Sequence, residues 1–509
     1  MSQISVRNLT FYYDGSFDHV FEQASFSLDT NWRLGLIGRN GRGKTTLLRL
    51  LMGELPYQGS IECSVPFSYF PYPVTEIQQQ QPASDFIEEL RPGCEQWRVI
   101  CELSLLDTGA EILYRPFHTL SPGERTKLLL ALLFSGENDF LLIDEPTNHL
   151  DQDSREAVKQ YLAGKKGFIL VSHDRDLLDA VIDHVLVLNR KTITVQSGNF
   201  TVWQENKQRS DQFAEAENEK HRREIRKLKQ AAKRTADWAD RNERTKIGFD
   251  PVKEHDRCIS SRSFIGAKTK KMQSRVRQIE KRIDREITEK ENLLQDIEQT
   301  ETLKLTPLTH HKQTLLTLRD YGLCYPGAEP LFGHLDLELQ SGGRIALHGR
   351  NGCGKSTLLR MLLHHAGVET AGALPEETGF CELASGLVIS WVPQDTAGLS
   401  GTVAAYCQAH RLDLTLMCTL LRRMDFSRSQ LEKPMQDYSA GQKKKVLLAA
   451  SLAKPAHLYI WDEPLNYIDV FSRMQIEELL LGCQPSMLFV EHDVRFRERI
   501  ATGEASPAG

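Results

Sequence analysis

The chain has 509 residues, too many for one hydrophobic core and enough for about three domains at ~100 to 200 residues each. Its 40% hydrophobic and 26% charged content is that of a globular protein, and the longest apolar run, at residues 128–134, falls far short of the ~18 to 20 residues a membrane-spanning helix requires. A net charge of −5 excludes a uniformly basic surface, ten scattered cysteines with no C-x-x-C pair predict reduced thiols and no zinc site, and the opening MSQISVRNLTFYY resembles no leader, which predicts a cytoplasmic location.

In chain order, ISVRNLTFYY alternates apolar and polar side chains, the pattern of a half-buried strand, and ends on Tyr13. That ring is suited either to stack on a purine or to pack the strand end. An apolar strand at 34–37 then enters GRNGRGKT, with Gly38, Asn40, Gly41, Gly43, Lys44 and Thr45, followed by Thr46 and the helical LLRLLMG. Strand, glycine loop and helix form a phosphate cradle: glycines let backbone N–H groups converge on phosphate oxygens, Lys44 neutralises the β and γ phosphates, and Thr45 offers a hydroxyl to Mg²⁺. ATP is the expected ligand.

LSPGE, with Ser121 and Gly123, precedes an amphipathic helix and by itself reads as a helix cap. FLLIDEP at 140–146 is a buried strand closing on two acids. Asp144 is expected to hold Mg²⁺ through its water shell, and Glu145 to accept a proton from the attacking water. VSHD at 171–174 places His173 past a further strand, as an expected γ-phosphate sensor.

The next hundred residues change character. From about 205 to 236 the chain is rich in Glu, Lys, Arg, Gln and Ala with no proline or glycine, and Val276, Ile279, Ile283, Ile287, Leu294 and Ile297 recur later on one stripe. Opposed to Ile225, Leu228 and Ala232, that stripe predicts an antiparallel helical hairpin over 204–306. Its tip, 241–272, is broken by Gly248, Pro251 and Gly266 and carries nine cations, Arg241, Arg244, Lys246, Lys253, Arg257, Arg262, Lys268, Lys270 and Lys271, against four acids. The linker at 201–305 has 26 basic and 20 acidic residues, so most of its surplus sits at the tip while the rest of the chain is acidic. Such a tip is either a solvated basic loop or, attached to this tandem arrangement, a contact for RNA, with Trp238, Phe249 and Phe264 placed to stack on bases. Phe264 serves equally as part of a small tip core.

The second half repeats the first. LLTLRDYGLCY ends on Tyr325, and GRNGCGKS supplies Gly349, Asn351, Gly352, Gly354, Lys355 and Ser356, followed by Thr357. YSAGQ holds Ser439 and Gly441, LYIWDEP holds Asp462 and Glu463, and VEHD holds His492, each with the role expected of its counterpart. Repetition argues that the paired acids do chemistry rather than cap helices. The predicted domains are 1–203, the linker at 204–306, and 307–500, with ATGEASPAG at 501–509 a disordered tail.

These loops, acids and histidines resemble those of ATP-binding-cassette ATPases, and the tandem layout with a charged linker resembles the ABC-F family of translation factors. NWRLGLIGRNGRGKTTLLRLL, AENEK and IWDEPLNYIDV are closest to its Lsa-like antibiotic-resistance branch. The resemblance implies an α/β fold of two P-loop NTPase sheets with helical subdomains, joined by a long helical hairpin. It implies ATP hydrolysis with Mg²⁺, and two composite sites in which each serine–glycine signature caps the γ-phosphate held by the opposite cassette. Ser439 and Gly441 would complete the site of Lys44, and Ser121 and Gly123 that of Lys355. Two departures stand out. Gln394 matches the family's Mg²⁺-contacting glutamine, whereas Tyr72 stands at that position in the first cassette, and Pro122 replaces a signature glycine.

The implied partners are large-subunit rRNA and the peptidyl-site tRNA of the ribosome, with no transmembrane partner and the cassettes paired within a monomer. The implied function is protection of the ribosome from antibiotics at the peptidyl-transferase centre, of lincosamide, pleuromutilin or streptogramin A type. A housekeeping role on stalled elongation and a transporter's nucleotide-binding subunit are the alternatives. Lys44 to Ser121 and Lys355 to Ser439 span 77 and 84 residues, which leaves no room for the large insertions of DNA-repair cassettes.

Overall fold

ISVRNLTF forms the strand Gln3–Phe11, paired antiparallel with Phe21–Asp29 and with Gln58–Glu62 in a computed structural model. The structure describes residues 2–13, 19–148, 150–189, 192–244, 307–327, 329–368 and 374–507, together with Arg282 and Arg285. Ile4 and Val6 point into the core, then a bulge with Asn8 at φ 51° re-phases the alternation so that Leu9 and Phe11 also turn inward. The second cassette repeats the device in Thr314–Cys324: Leu316 and Leu318, a break with Asp320 at φ 49°, then Tyr321 and Leu323.

Each half also carries a mostly parallel sheet. In the first, the order is Phe67–Phe70, Phe140–Asp144, Phe168–Val171, Arg33–Gly38, His184–Leu188 and Ile193–Ser197, the last pair antiparallel. In the second it is Ile389–Val392, Leu458–Asp462, Met487–Val490, Arg344–Leu347 and Gly503–Ala505, all parallel. Residues such as Leu142, Ile169, Leu170, Ile460 and Leu488 are wholly buried, as strands covered on both faces require. Parallel order brings the carboxyl ends of adjacent strands together, so the phosphate loop, the acids and the histidine of each cassette emerge side by side.

The expectation of a disordered tail at 501–509 is wrong for the residues described there. Gly503–Ala505 forms an edge strand against Arg344–Leu347, with Thr502 N donating to Arg344 O at 2.7 Å and His348 N to Ala505 O at 3.0 Å. Small polar residues gave no periodic signal, but an edge strand needs only backbone pairing.

By contact, the described chain forms two compact units, Met1–Trp203 with Thr300–Gly509, and Gln204–Gln299. In the second unit the described segment is helical and belongs to a single helix, Phe200–Arg244. Its less exposed positions 207, 211, 214, 218, 221, 225 and 228 alternate by four and three, a heptad seam in which Ala214, Asn218 and Ile225 are buried. Arg223 pairs with Glu219 at 2.6 Å on the outside. Arg241 and Arg244, expected in the tip, lie instead in this helix, because no helix breaker occurs before Gly248. Lys246, Lys253, Arg257, Arg262, Lys268, Lys270, Lys271 and the second arm of the hairpin fall outside the described residues.

Candidate functional site

In the first cassette the helix Lys44–Leu51 starts directly from the glycine loop. Gly43 has φ 89°, and a Cβ there would lie 2.6 Å from Val20 Cγ1, so no other residue fits. Lys44 Nζ donates to Gly38 O at 2.7 Å and Asn40 Oδ1 at 3.2 Å, and burial holds its pKa below the usual lysine range despite Asp469, Glu145 and Asp144 nearby. Thr45 Oγ1 donates to Asp144 Oδ2 at 2.9 Å. His173 Nε2 is 3.2 Å from Glu145 Oε1, and its backbone N donates to Glu145 Oε2 at 3.3 Å. Burial, with Asp144 adjacent, raises the Glu145 pKa well above the usual carboxylate range. Burial, helped by Lys44 and Arg473, holds the His173 pKa well below the usual imidazole range.

The second site differs in detail. Lys355 Nζ donates to Gly349 O at 2.7 Å and Arg350 O at 2.8 Å, and Ser356 hydrogen-bonds Asp462, which burial pushes up to about 6. Glu463 accepts from Asn466 Nδ2 at 2.6 Å, lies 3.6 Å from His492 Nε2, and is hydrogen-bonded by Gln394. Burial alone would raise its pKa, but these partners outweigh it and bring the carboxyl down to about 2. Lys444 anchors the glutamine loop, donating to Pro393 O at 2.9 Å, Gln394 O at 3.1 Å and Asp462 O at 3.4 Å. Sequence reading missed Lys444 and Asn466. The matched segments EPTNHLD and EPLNYID were the available signal for Asn466.

Both sites are composite. Asn40 Nδ2 donates to Tyr467 O at 2.7 Å, and Arg42 Nη2 lies 3.3 Å from Asp425 Oδ2, so the first phosphate loop faces the second cassette. A Cβ on the signature Gly441 would lie 2.6 Å from Tyr467 O and 3.1 Å from Asn40 Nδ2. Reciprocally, Pro122 and Arg155 of the first cassette line the same cavity as Asn351, Gly352, Gly354, Lys355, Ser356, Thr357 and Gln394. Ser121 and Ser439 each cap the helix that follows through a reciprocal capping box, with Glu124 and Gln442. Pro122 sits at the first helical position, where no intrahelical N–H is needed.

Tyr72 does not stand in for Gln394. Its hydroxyl accepts from Arg91 Nη1 at 3.1 Å, and Arg91 also pairs with Asp139 and donates to Leu133 O at 2.6 Å. Tyr69 reaches the acid instead, donating to Asp144 Oδ2 at 3.2 Å. Tyr13 is 47% exposed, its hydroxyl and Thr46 Oγ1 share a 2.8 Å hydrogen bond and its ring meets Phe11 edge-on, whereas Tyr325 is half-buried just past its strand.

Because the added Cβ would displace the Tyr467 carbonyl that Asn40 holds, Gly441→Val is expected to lower hydrolysis at the first site by about 100-fold, the usual effect of a misplacement near 1 Å. Phosphate release from Gly441→Val in a Glu463→Gln background, compared with Glu463→Gln alone, checks this.

The family described as ABC transporter matches residues 21–148 and 332–466. The chain is 27% identical over 487 residues to "Ribosome protection protein VmlR" of Bacillus subtilis (strain 168), covering 94% of this chain and 82% of that protein. It is 26% identical over 502 residues to "ATP-binding protein Uup" of Caulobacter vibrioides, covering 95% and 74%. Among solved structures, the fold is similar to that of the archaeal ribosome recycling factor aABCE1, solved in complex with the ribosomal stalk protein aP1, with TM-score 0.59 and 18% identity over 98% of this chain and 89% of that one. No helix among the described residues is long and apolar enough to cross a membrane. With both sets of motifs assembled at facing strand ends, the chain belongs to the ABC transporter family, as a tandem-cassette ATP hydrolase of ABC-F type.

Proposed function

We propose that this ATPase is a ribosome-binding protein whose two cassettes clamp on two ATP molecules and open after hydrolysis, and that in the closed form it protects the ribosome from drugs of the peptidyl-transferase centre. The observation that carries this reading is the match to a ribosome protection protein along 94% of the chain, a span too long to leave out the linker. The basic tip at 241–272 supplies charge suited to rRNA or the peptidyl-site tRNA. On this reading the domains are 1–203, 204–306 and 307–500, the last extended by the strand Gly503–Ala505.

At each site the loop N–H groups and Lys44 or Lys355 bind the triphosphate, and the opposite signature, Ser439 with Gly441 or Ser121 with Gly123, closes over it. Tyr13 offers its ring face to the base. Glu145 and Glu463 take the proton of the attacking water, oriented by His173 and His492. The residues fit a divalent cation: Asp462 Oδ1 is buried with no hydrogen-bond partner among the described residues, and Thr45 with Asp144 forms the matching pair in the first site. Thr45, Asp144, Ser356, Asp462 and Gln394 would hold Mg²⁺, which when bound neutralises charge on the phosphates.

Glu145→Gln/Glu463→Gln in one chain is expected to bind ATP, hydrolyse none and co-sediment with ribosomes at moderate salt, while deletion of 241–272 from that variant cuts co-sedimentation at least tenfold, as loss of several phosphate contacts implies. Ribosome-free sedimentation of the ATP-loaded double variant overturns the reading. Drug tolerance in a susceptible host separates protection from a general elongation role: raised resistance supports protection, and unchanged growth favours the other.

A further inference from the structure

Among the described residues, the most deeply buried ion pair that crosses between the cassettes joins Arg175 and Glu477, whose side chains are 5% and 0% exposed. Arg175 lies two residues beyond His173, and its Nη1 donates to Glu477 Oε2 at 3.2 Å. Its Nη2 is 3.8 Å from Asp493, the residue after His492. Asp493 also accepts from Arg473 Nη1 at 2.9 Å, and Arg473 Nη2 donates to Leu465 O at 3.0 Å, next to the Asn466 that holds Glu463. The duplication gives no mirror copy of this link. Val494 occupies the position matching Arg175, and Lys159 matches Glu477 but turns to Asp176 of its own cassette at 2.8 Å.

We propose that Arg175 is a positioning residue that couples the two ATP sites, tying the turn that carries His173 to the turn that carries His492. Glu477 also accepts from Arg499 Nη1 of its own cassette at 3.1 Å, so it is the Arg175 guanidinium, buried with Asp493 3.8 Å away, that tolerates little slack once displaced from Glu477. Movement of the first histidine turn is therefore passed to Asp493, and through Arg473 to the loop that orients Glu463. The link has two discrete arrangements, made in the paired cassettes and broken on separation. The inference rests on the ATP-driven pairing proposed above and is independent of the ribosome as partner.

Single-site turnover in the full chain tests it, with fluorescence transfer between labels on the two cassettes reporting their approach on ATP binding. Glu145→Gln leaves the second site to hydrolyse, and Glu463→Gln the first. With Arg175 intact, the two single-variant rates are expected to sum to less than a third of the wild-type rate. In an R175M/E477L background, where apolar packing replaces the pair and the Arg499 that loses Glu477 is 46% exposed and stays solvated, ATP still draws the cassettes together and the same sum comes within twofold of its parent. E477Q, a milder change, is expected to bring the sum closer to its parent by at least twofold, and it keeps the test open should the double variant fail to fold. Additive rates with Arg175 intact, or non-additivity unchanged in both backgrounds, overturn the coupling while leaving the pairing standing. Absence of ATP-induced approach with Arg175 intact overturns the pairing, and the coupling with it.

Discussion

Glu463→Gln is expected to reduce ATP hydrolysis about 100-fold, and at least tenfold more than Glu145→Gln does, the scale at which a positioned general base contributes. The two carboxylates occupy matching positions but different surroundings. Glu463 accepts from Asn466 at 2.6 Å and from Gln394, with His492 nearby, and Lys444 fixes the Gln394 loop to the Asp462 strand. That set holds the carboxylate ionised and oriented before substrate arrives. Glu145 has His173 as its partner, Tyr72 in place of the glutamine is engaged by Arg91, and Thr126 stands where the second cassette has Lys444. The first base is thus less well held, and burial disfavours its charged form. Steady-state phosphate release from each variant checks the prediction, and equal losses from the two would contradict it.

Lys445→Met is expected to destabilise the second cassette by about 3 to 5 kcal/mol, the usual cost of stranding one member of a buried ion pair. Lys445 Nζ lies 2.7 Å from Asp469 Oδ2, the side chains are 4% and 0% exposed, and the ammonium also donates to Met424 O at 2.9 Å. Asp469 additionally caps the helix Val470–Cys483, accepting from Ser472 N and Oγ at 2.9 Å each. Loss of Lys445 leaves that carboxylate buried without its cation. For a cassette of this size the drop corresponds to a thermal midpoint lower by about 10 °C. Lys445→Met/Asp469→Asn, which keeps the cap and removes the charge, should recover most of the loss.

Acid gives an independent check on the same pair. Burial alone would raise the Asp469 pKa, but Lys445 outweighs it and holds the carboxyl far below its usual value. The stabilisation is therefore present above the unfolded carboxylate pKa of about 4 and is lost as pH falls through the folded value. The gap between wild type and Lys445→Met should be full near neutrality and shrink in strong acid. A gap that is constant across that range would exclude the ion pair as its source.

Sequence alone located the two phosphate loops, the acid pairs and the histidines, because each is a local spacing tied to one strand end, and duplication weakened the reading of the acids as helix caps. It also gave the first arm of the linker as a helix, because a run of helix-forming residues without proline or glycine needs no distant information, whereas the seam from 207 to 228 came from the burial pattern. It misjudged 501–507, where an edge strand is set by a partner some 158 residues earlier. It could not say where Tyr72 points, since Arg91 and Asp139 decide that, nor that Tyr69 reaches Asp144. Only the tertiary structure brought Asn40 to Tyr467 across 427 residues, Arg175 to Glu477 across 302, and Lys444 to the Gln394 loop. Those contacts join surfaces that no short window of sequence contains, and they make two nearly identical motif sets into chemically unequal sites.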